Sequence, residues 1–216
     1  MSFSVAASLA SALAASRAYR HPFPHWLVES LLPAGLAGEI AGLAIPCPDG
    51  IIFNGRRETN NSSRIYFNTA ARARFAAVEA LSQALQTPAT VKAVAAACGA
   101  DLRGTCLRIE YCQDTDGFWL EPHTDISAKR LTMIIYLSCG AGSEGWGTDL
   151  YDSQRRWYAT APGHFNTGLI FIPGADSWHG VERRPITGVR RCLMINYVGA
   201  EWRARDELAF PDQPVR

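Results

Sequence analysis

The sequence lacks paired cysteine motifs, a long uninterrupted apolar run and any sizeable net charge. Its six cysteines are far apart with no C-x-x-C pair, which argues against a zinc knuckle or a disulfide framework. The apolar stretch at residues 6–15 is interrupted by serines and too short to span a bilayer, and the residues before it lack the basic segment of a secretory signal. A net charge of +1 gives no electrostatic reason to expect nucleic acid or an acidic membrane surface as a partner. We therefore expect a reduced, cytoplasmic protein.

The 216 residues contain no repeat, low-complexity tract or linker, so we expect one domain over residues 1–216. The N-terminal portion, about residues 1–100, is mainly helical in pattern. Its predicted helices cover residues 4–19, 31–43, 69–85 and 90–98, and its short extended segments cover residues 21–28, 50–53 and 64–67.

Strand-like segments dominate the sequence after Thr105. They cover residues 106–111, 118–123, 131–137, 169–172, 178–183 and 190–198, separated by Gly, Pro, Asp and Ser. Helices followed by many short strands indicate an α+β fold. We expect a double-stranded β-helix (jelly-roll) core at about residues 104–198, with the N-terminal helices packed on its outside.

His123 and Asp125 are two residues apart, so an extended backbone points both side chains to the same face. A second histidine from a distant strand would complete two imidazoles and one carboxylate, the ligand set of non-haem Fe(II) oxygenases. Two residues qualify: His164, in a turn-like context, and His179. We favour His179, because only it is one short hairpin away from a strand that begins with arginine.

That strand begins with Arg190 and Arg191, which face opposite sides, and periodicity alone does not choose between them. A buried arginine beside a metal needs an anion, and its planar fork fits a carboxylate. The hydroxyls of Tyr111 and Tyr136 are candidates to complete such a clamp for a 2-oxo acid, with a core aromatic as the alternative role of each.

Two loops have patterns compatible with substrate recognition. Residues 54–63, rich in Arg, Asn and Ser, form either a substrate-facing rim or an ordinary surface turn. Residues 139–160 combine aromatics, Arg and Asp on glycine-flanked segments, and form either recognition loops or a hairpin packed on the barrel.

These residues together resemble the Fe(II)- and 2-oxoglutarate-dependent dioxygenases, in the branch similar to prolyl hydroxylases. The resemblance covers about residues 107–198. It rests on four motifs in order: Pro122-His123-Thr124-Asp125, Ile135-Tyr136-Leu137-Ser138, Ser177-Trp178-His179-Gly180-Val181 and Gly188-Val189-Arg190.

By this resemblance, His123, Asp125 and His179 would bind Fe(II) as the catalytic triad. Arg190, supported by Tyr136 and Tyr111, would hold the co-substrate 2-oxoglutarate, with O2 as oxidant. The implied enzyme is an oxidoreductase that hydroxylates an unactivated C–H bond of a small polar metabolite or an amino-acid or sugar derivative, releasing succinate and CO2. The alternatives are a prolyl-type hydroxylase of protein side chains and a catalytically inactive jelly-roll binding protein. The expected partner is thus a small molecule or a peptide, and the sequence does not indicate an oligomeric state.

Overall fold

Two antiparallel sheets organise the computed structural model, which describes residues 5–216 except for the side chains of residues 58 and 62. The larger sheet has seven strands in the order β1-β2-β9-β6-β11-β4-β3, and the smaller has four in the order β5-β10-β7-β8. The strands are β1 (Arg17–Tyr19), β2 (His25–Val28), β3 (Arg64–Tyr66), β4 (Cys106–Asp114), β5 (Leu120–His123), β6 (Lys129–Tyr136), β7 (Asp149–Tyr151), β8 (Trp157–Thr160), β9 (Gly168–Phe171), β10 (His179–Val181) and β11 (Arg190–Val198).

Within residues 5–216 there are six α-helices, all in the N-terminal half, as expected: α1 (Val5–Ala14), α2 (Ala34–Ala41), α3 (Arg57–Asn60), α4 (Thr69–Arg74), α5 (Ala76–Gln86) and α6 (Pro88–Cys98). The sequence sets both ends of α6. The Thr87 side chain accepts a hydrogen bond from the Thr90 amide at the start, and Gly99 adopts φ +68° at the end. Short 3-10 turns cover Asn61–Ser63, Ser143–Gly145 and Arg205–Glu207.

The two faces of the larger sheet differ in character because side chains alternate along each strand. One face carries Ile109, Ile135, Leu193 and Ile195, which pack with residues of α1, α2, α5 and α6 in the main apolar core. The other face turns towards the smaller sheet, where Leu150 of β7 packs in a second core with residues of β6, β9 and β11. The helices therefore stabilise one side of the sheet, and the candidate site lies on the other.

Several predicted elements differ in detail. The predicted helix at residues 69–85 is divided by Phe75, whose backbone is extended (φ −126°, ψ 116°). The predicted helix at residues 4–19 becomes α1 followed by β1, and Ser4 lies outside the described residues. Residues 50–53 are not a strand. The chain instead makes a single bridge at Gly55, whose φ of +78° and close approach to the Trp119 ring suit only glycine.

Three strands from the N-terminal part, β1, β2 and β3, extend the larger sheet; β2 and β3 lie in predicted extended segments, and only β1 was not expected. Residues 139–160 contain β7 and β8, which pair as a hairpin beside β10. The segment thus contains a hairpin, as one of its two interpretations expected. No helix within residues 5–216 has the length and apolar character needed to cross a membrane.

Candidate metal centre

Pairing of β5 with β10 brings the two predicted histidine ligands together. His123 and His179 are direct partners across the antiparallel pair, and their ring centroids are 4.4 Å apart. Asp125 follows β5 after one intervening residue, which returns its side chain to the same side. One ligand atom from each of the three residues lies within 4.8 Å of the other two. The three side chains thus converge on one point.

Backbone carbonyls orient both imidazoles. The Nδ1 of His123 lies 2.9 Å from the Glu121 carbonyl oxygen, and the Nδ1 of His179 lies 2.9 Å from that of Ser177. Because a carbonyl only accepts, each Nδ1 carries the proton and each Nε2 keeps its lone pair for a ligand. This is the arrangement that fixes the tautomer of metal-binding histidines.

Burial keeps these imidazoles neutral. Desolvation, together with the neighbouring His123, lowers the pKa of His179 to about 4. The pKa of His123 is lowered too, mainly by burial. Neutral imidazole is the form that binds a metal, so no proton has to be removed at neutral pH.

Asp125 is held as a carboxylate by two neighbours. Its Oδ1 accepts from Lys129 Nζ at 2.5 Å, and its Oδ2 accepts from Thr132 Oγ1 at 2.8 Å. Burial opposes ionisation, but Lys129 and then His179 outweigh it and keep the pKa of Asp125 well below its usual range. Two neutral imidazoles and one ionised carboxylate are a donor set suited to a ferrous ion, so these residues fit the metal that the sequence implies.

Arg190 points into the space between the sheets, whereas Arg191 lies on the opposite face. The guanidinium of Arg190 donates to Asp114 Oδ2 and to the Trp146 carbonyl, both at 2.6 Å. Asp114 also accepts from Arg64 Nη1 at 2.5 Å, so two buried arginines share one carboxylate and leave one positive charge in excess. An additional anion is therefore electrostatically favoured here.

The space beside Arg190 is small. Arg64, Arg190 and both histidines line a cavity of about 20 Å³, enough for one water molecule. A ligand larger than a water molecule therefore requires the side chains around the cavity to rearrange.

Tyr136 lies at this same end of the site. Its hydroxyl contacts Thr148 Oγ1 at 2.9 Å and accepts from the Thr148 amide at 3.1 Å, and its ring centroid is 6.0 Å from Arg190 Cζ. Burial raises its pKa to about 12, so the hydroxyl keeps its proton and is able to donate.

Tyr111 requires a correction, because the structure does not bring it to this site. It pairs with Leu193, on the face of the larger sheet opposite to Arg190. There its ring stacks on Phe67 at 5.8 Å, and its hydroxyl lies 3.4 Å from the Ala41 carbonyl oxygen. Tyr111 is therefore a core aromatic, the alternative role that the sequence left open. His164, the other candidate ligand, lines a separate surface cavity with Arg17 and Pro162.

The sequence did not single out Asp114, Arg64 or Lys129 as site residues. Arg64 was at the end of a predicted strand, Asp114 lay three residues beyond the predicted strand at residues 106–111, and Lys129 was in a charged turn. A weak signal existed for Asp114, because it ends a strand in which arginine and glutamate alternate with apolar residues.

No protein-family model and no curated protein matches the chain. Its structure, however, is similar to those of solved prolyl hydroxylases. A prolyl 4-hydroxylase from Phytophthora capsici aligns at 14% identity with a TM-score of 0.55, over 82% of this chain and 59% of that one. The chain thus spans about three-fifths of that protein's length.

This chain spans a larger share of two further solved structures. A prolyl hydroxylase from Trichoplax adhaerens, solved with a peptide fragment of a hypoxia inducible factor oxygen degradation domain, aligns at 14% identity and a TM-score of 0.57, over 90% of this chain and 89% of that one. This chain has the same fold as that prolyl hydroxylase. A viral collagen prolyl hydroxylase from Paramecium bursaria Chlorella virus-1, solved with 2OG, aligns at 14% identity and a TM-score of 0.51, over 81% of this chain and 96% of that one. The prolyl-hydroxylase-like resemblance is therefore confirmed at the level of fold.

Proposed function

We propose that this protein is an Fe(II)- and 2-oxoglutarate-dependent dioxygenase that hydroxylates an unactivated C–H bond. The observation that carries the proposal is the convergence of His123, Asp125 and His179 within 4.8 Å, with both imidazoles oriented by backbone carbonyls. The proposal is supported by the fold, which is shared with prolyl hydroxylases, one of them solved with 2OG. On this proposal the two sheets form the double-stranded β-helix expected from the sequence.

In this function the Nε2 atoms of His123 and His179 and the carboxylate of Asp125 hold the iron. Such a centre supplies oxidation of a C–H bond by O2, coupled to conversion of 2-oxoglutarate to succinate and CO2. Arg190, with Arg64 and the Tyr136 hydroxyl, receives the distal carboxylate of the co-substrate. The excess positive charge around Asp114 supports this role, and Lys129 and Thr132 keep Asp125 ionised and oriented.

A peptide substrate is the second candidate, because the Trichoplax relative was solved with a peptide fragment. A prolyl-type hydroxylase of protein side chains fits the fold as well as a hydroxylase of small metabolites does. The chemistry at the iron is the same for both, and they differ in the groups that recognise the substrate.

The test is succinate formation by the purified, iron-loaded protein without added substrate, since these centres often turn over the co-substrate alone. We expect His179→Ala and Arg190→Ala to abolish it. His164→Ala and Arg191→Ala are matched controls, one an exposed histidine and one the neighbouring arginine on the other face, and should leave it unchanged. Thermal midpoints of all four variants separate lost chemistry from lost folding.

Anaerobic absorbance provides a second readout. Fe(II) and 2-oxoglutarate together should give a charge-transfer band with the wild type and not with His179→Ala. No succinate and no band from a folded, iron-loaded wild type would refute the proposal and favour an inactive binding protein.

A further inference from the structure

A second group of charged residues lies beside the triad and takes no part in the proposed iron chemistry. Glu110 of β4 is fully buried and is the direct cross-strand partner of Met194. Met194 in turn lines the cavity that contains both histidines. Glu110 therefore lies beside a residue that lines the cavity of the candidate centre.

Arg57 reaches this carboxylate from α3. Its Nη2 is 2.7 Å from Glu110 Oε1, and its Nη1 is 3.7 Å from the sulfur of Met194. The Arg57 side chain is 30% exposed, whereas that of Glu110 is completely buried. Arg57 therefore covers Glu110 and Met194 and itself remains accessible to solvent.

Hydrogen bonds connect this pair to the triad. Thr132 donates to Asp125 and accepts from Asn196 Nδ2 at 2.9 Å. Asn196 Oδ1 is 3.4 Å from Arg108 Nη1, which also pairs with Glu110. The charge of Arg57 contributes to the lowered pKa values of both Asp125 and His123, which places it within electrostatic reach of the centre.

One oxygen of Glu110 remains without a hydrogen bond. Among the described residues no donor reaches Oε2, although Arg64 Nε is 3.9 Å away. Burial alone would raise the pKa of Glu110, but Arg57 and Arg108 lower it to about 2, so the group is ionised at neutral pH. A buried, ionised carboxylate oxygen without a donor is costly, and a ligand that donates to it removes that cost.

The charges of the surrounding cluster are unbalanced in favour of an anion. Five cations and four carboxylates form it: Arg57, Arg64, Arg108, Lys129 and Arg190, with Glu110, Asp114, Asp125 and Glu207. The one excess positive charge lies at Arg64 and Arg190, which share Asp114 and where the carboxylate of the proposed co-substrate binds. Beside them, Arg57 and Arg108 are balanced by Glu110 and Glu207, which suits a substrate that carries both charges and no net charge.

We propose that Arg57 and Glu110 recognise the carboxylate and the ammonium group of a small zwitterionic substrate, a free amino acid or a close derivative. The substrate ammonium replaces Arg57 on Glu110 and donates to Oε2, and the released guanidinium of Arg57 binds the substrate carboxylate. Each charge keeps a partner throughout this exchange, so none is left buried and unpaired. An internal residue of a peptide has neither charge on its backbone, so it has nothing to exchange for the existing pair of Arg57 and Glu110.

This inference names the substrate class of the proposed oxygenase and rests on that function. Its test uses the common free L-amino acids, each beside its N-acetyl form and its carboxamide form. Binding is measured by saturation-transfer NMR on metal-free protein and on protein loaded anaerobically with Fe(II) and 2-oxoglutarate. For a free amino acid that binds, we expect either blocked form to bind about tenfold to a hundredfold more weakly, the effect of losing one hydrogen-bonded charge pair.

Variants assign the two contacts separately. Arg57→Gln should weaken the free acid to the level of its carboxamide, and Glu110→Gln should weaken the free amine to the level of its N-acetyl form. Arg56→Gln is the matched control, because Arg56 is the adjacent arginine and is exposed. If Glu110→Gln fails to fold, Arg57→Gln still decides the matter, since Arg57 is partly exposed.

Three outcomes would overturn the assignment: equal binding of free and blocked forms, no binding by any free amino acid in either state, or unchanged affinity of Arg57→Gln. Succinate formation without substrate is recorded separately. Zwitterion binding that depends on Arg57, without any succinate, would keep the recognition site and refute the oxygenase reaction.

Discussion

Asp114→Asn tests whether the carboxylate between two buried arginines holds the inner face of the larger sheet together. Asp114 is completely buried and accepts from Arg64 and Arg190 at 2.5 and 2.6 Å. The substitution keeps the size of the side chain and removes its charge, so the two guanidiniums lose the counter-ion that they share. Removing one partner of a buried ion pair costs roughly 3–5 kcal/mol in the free energy of unfolding.

For a chain of this length, that loss should lower the Tm by roughly 6–20 °C. The assay is thermal and urea unfolding of the metal-free protein. Asp101→Asn is the control, because it removes an ion pair with Arg103 in which both side chains are exposed, and we expect no measurable change.

A dicarboxylate should then act as a replacement anion. We expect 2-oxoglutarate to stabilise Asp114→Asn by about 2.7 kcal/mol at a hundred times its Kd for the variant, and to stabilise the wild type less at the same concentration. If Asp114→Asn is as stable as the wild type, the charge cluster is not what the distances indicate. If 2-oxoglutarate stabilises both proteins equally, the co-substrate does not bind at Arg190.

Three further predictions concern the metal centre. The pKa of His179 is lowered to about 4 against 6.5 in the unfolded chain, so the unfolded state takes up more protons between those values and stability falls as the pH falls through that window. Between pH 7 and 5 the metal-free wild type should lose about 2 kcal/mol more than His179→Gln in urea unfolding, and parallel curves would contradict this. Lys129→Met should destabilise the metal-free protein by roughly 3–5 kcal/mol, because Asp125 loses its buried cation. Zn(II) should restore most of this stability, because a cation then adjoins Asp125 again. A loss of stability that Zn(II) does not reverse would count against Lys129 as the counter-charge of Asp125. Gly180→Ala should weaken Zn(II) binding by about tenfold to a hundredfold in a competition titration, because a Cβ there would lie 2.7 Å from a carbonyl of β5, whereas Gly174→Ala, with open space around it, should bind normally.

The sequence was sufficient to place the three candidate ligands because each depends on a local rule. His123 and Asp125 share a face through the period of an extended chain, and His179 precedes a hairpin that leads to a basic strand. The structure brings all three together. Most strands were also predictable from alternation and turn residues, apart from β1, β7 and β8, each of only three or four residues.

What the sequence did not provide was the register between distant strands. Arg190 meets Asp114 because β11 and β4 pair with those two residues directly opposite each other. The same register puts Tyr111 opposite Leu193, on the helix-facing side of the sheet. For this reason Tyr111 does not reach the site beside Arg190 in which it was predicted. A shift of one residue would reverse both outcomes.

The contrast between the two faces of the larger sheet bears on function more than on stability. The helix-facing side is filled by apolar residues that bury their surface without any need for precise partners. The opposite side carries Arg108, Glu110, Asp114 and Arg190 in adjacent strands, all buried. Buried ion pairs stabilise a fold weakly at best, and apolar residues of similar size would serve packing as well. These charges lie on the face of the sheet that adjoins two histidines and an aspartate. A metal, a dicarboxylate and a charged substrate would each meet a counter-charge there.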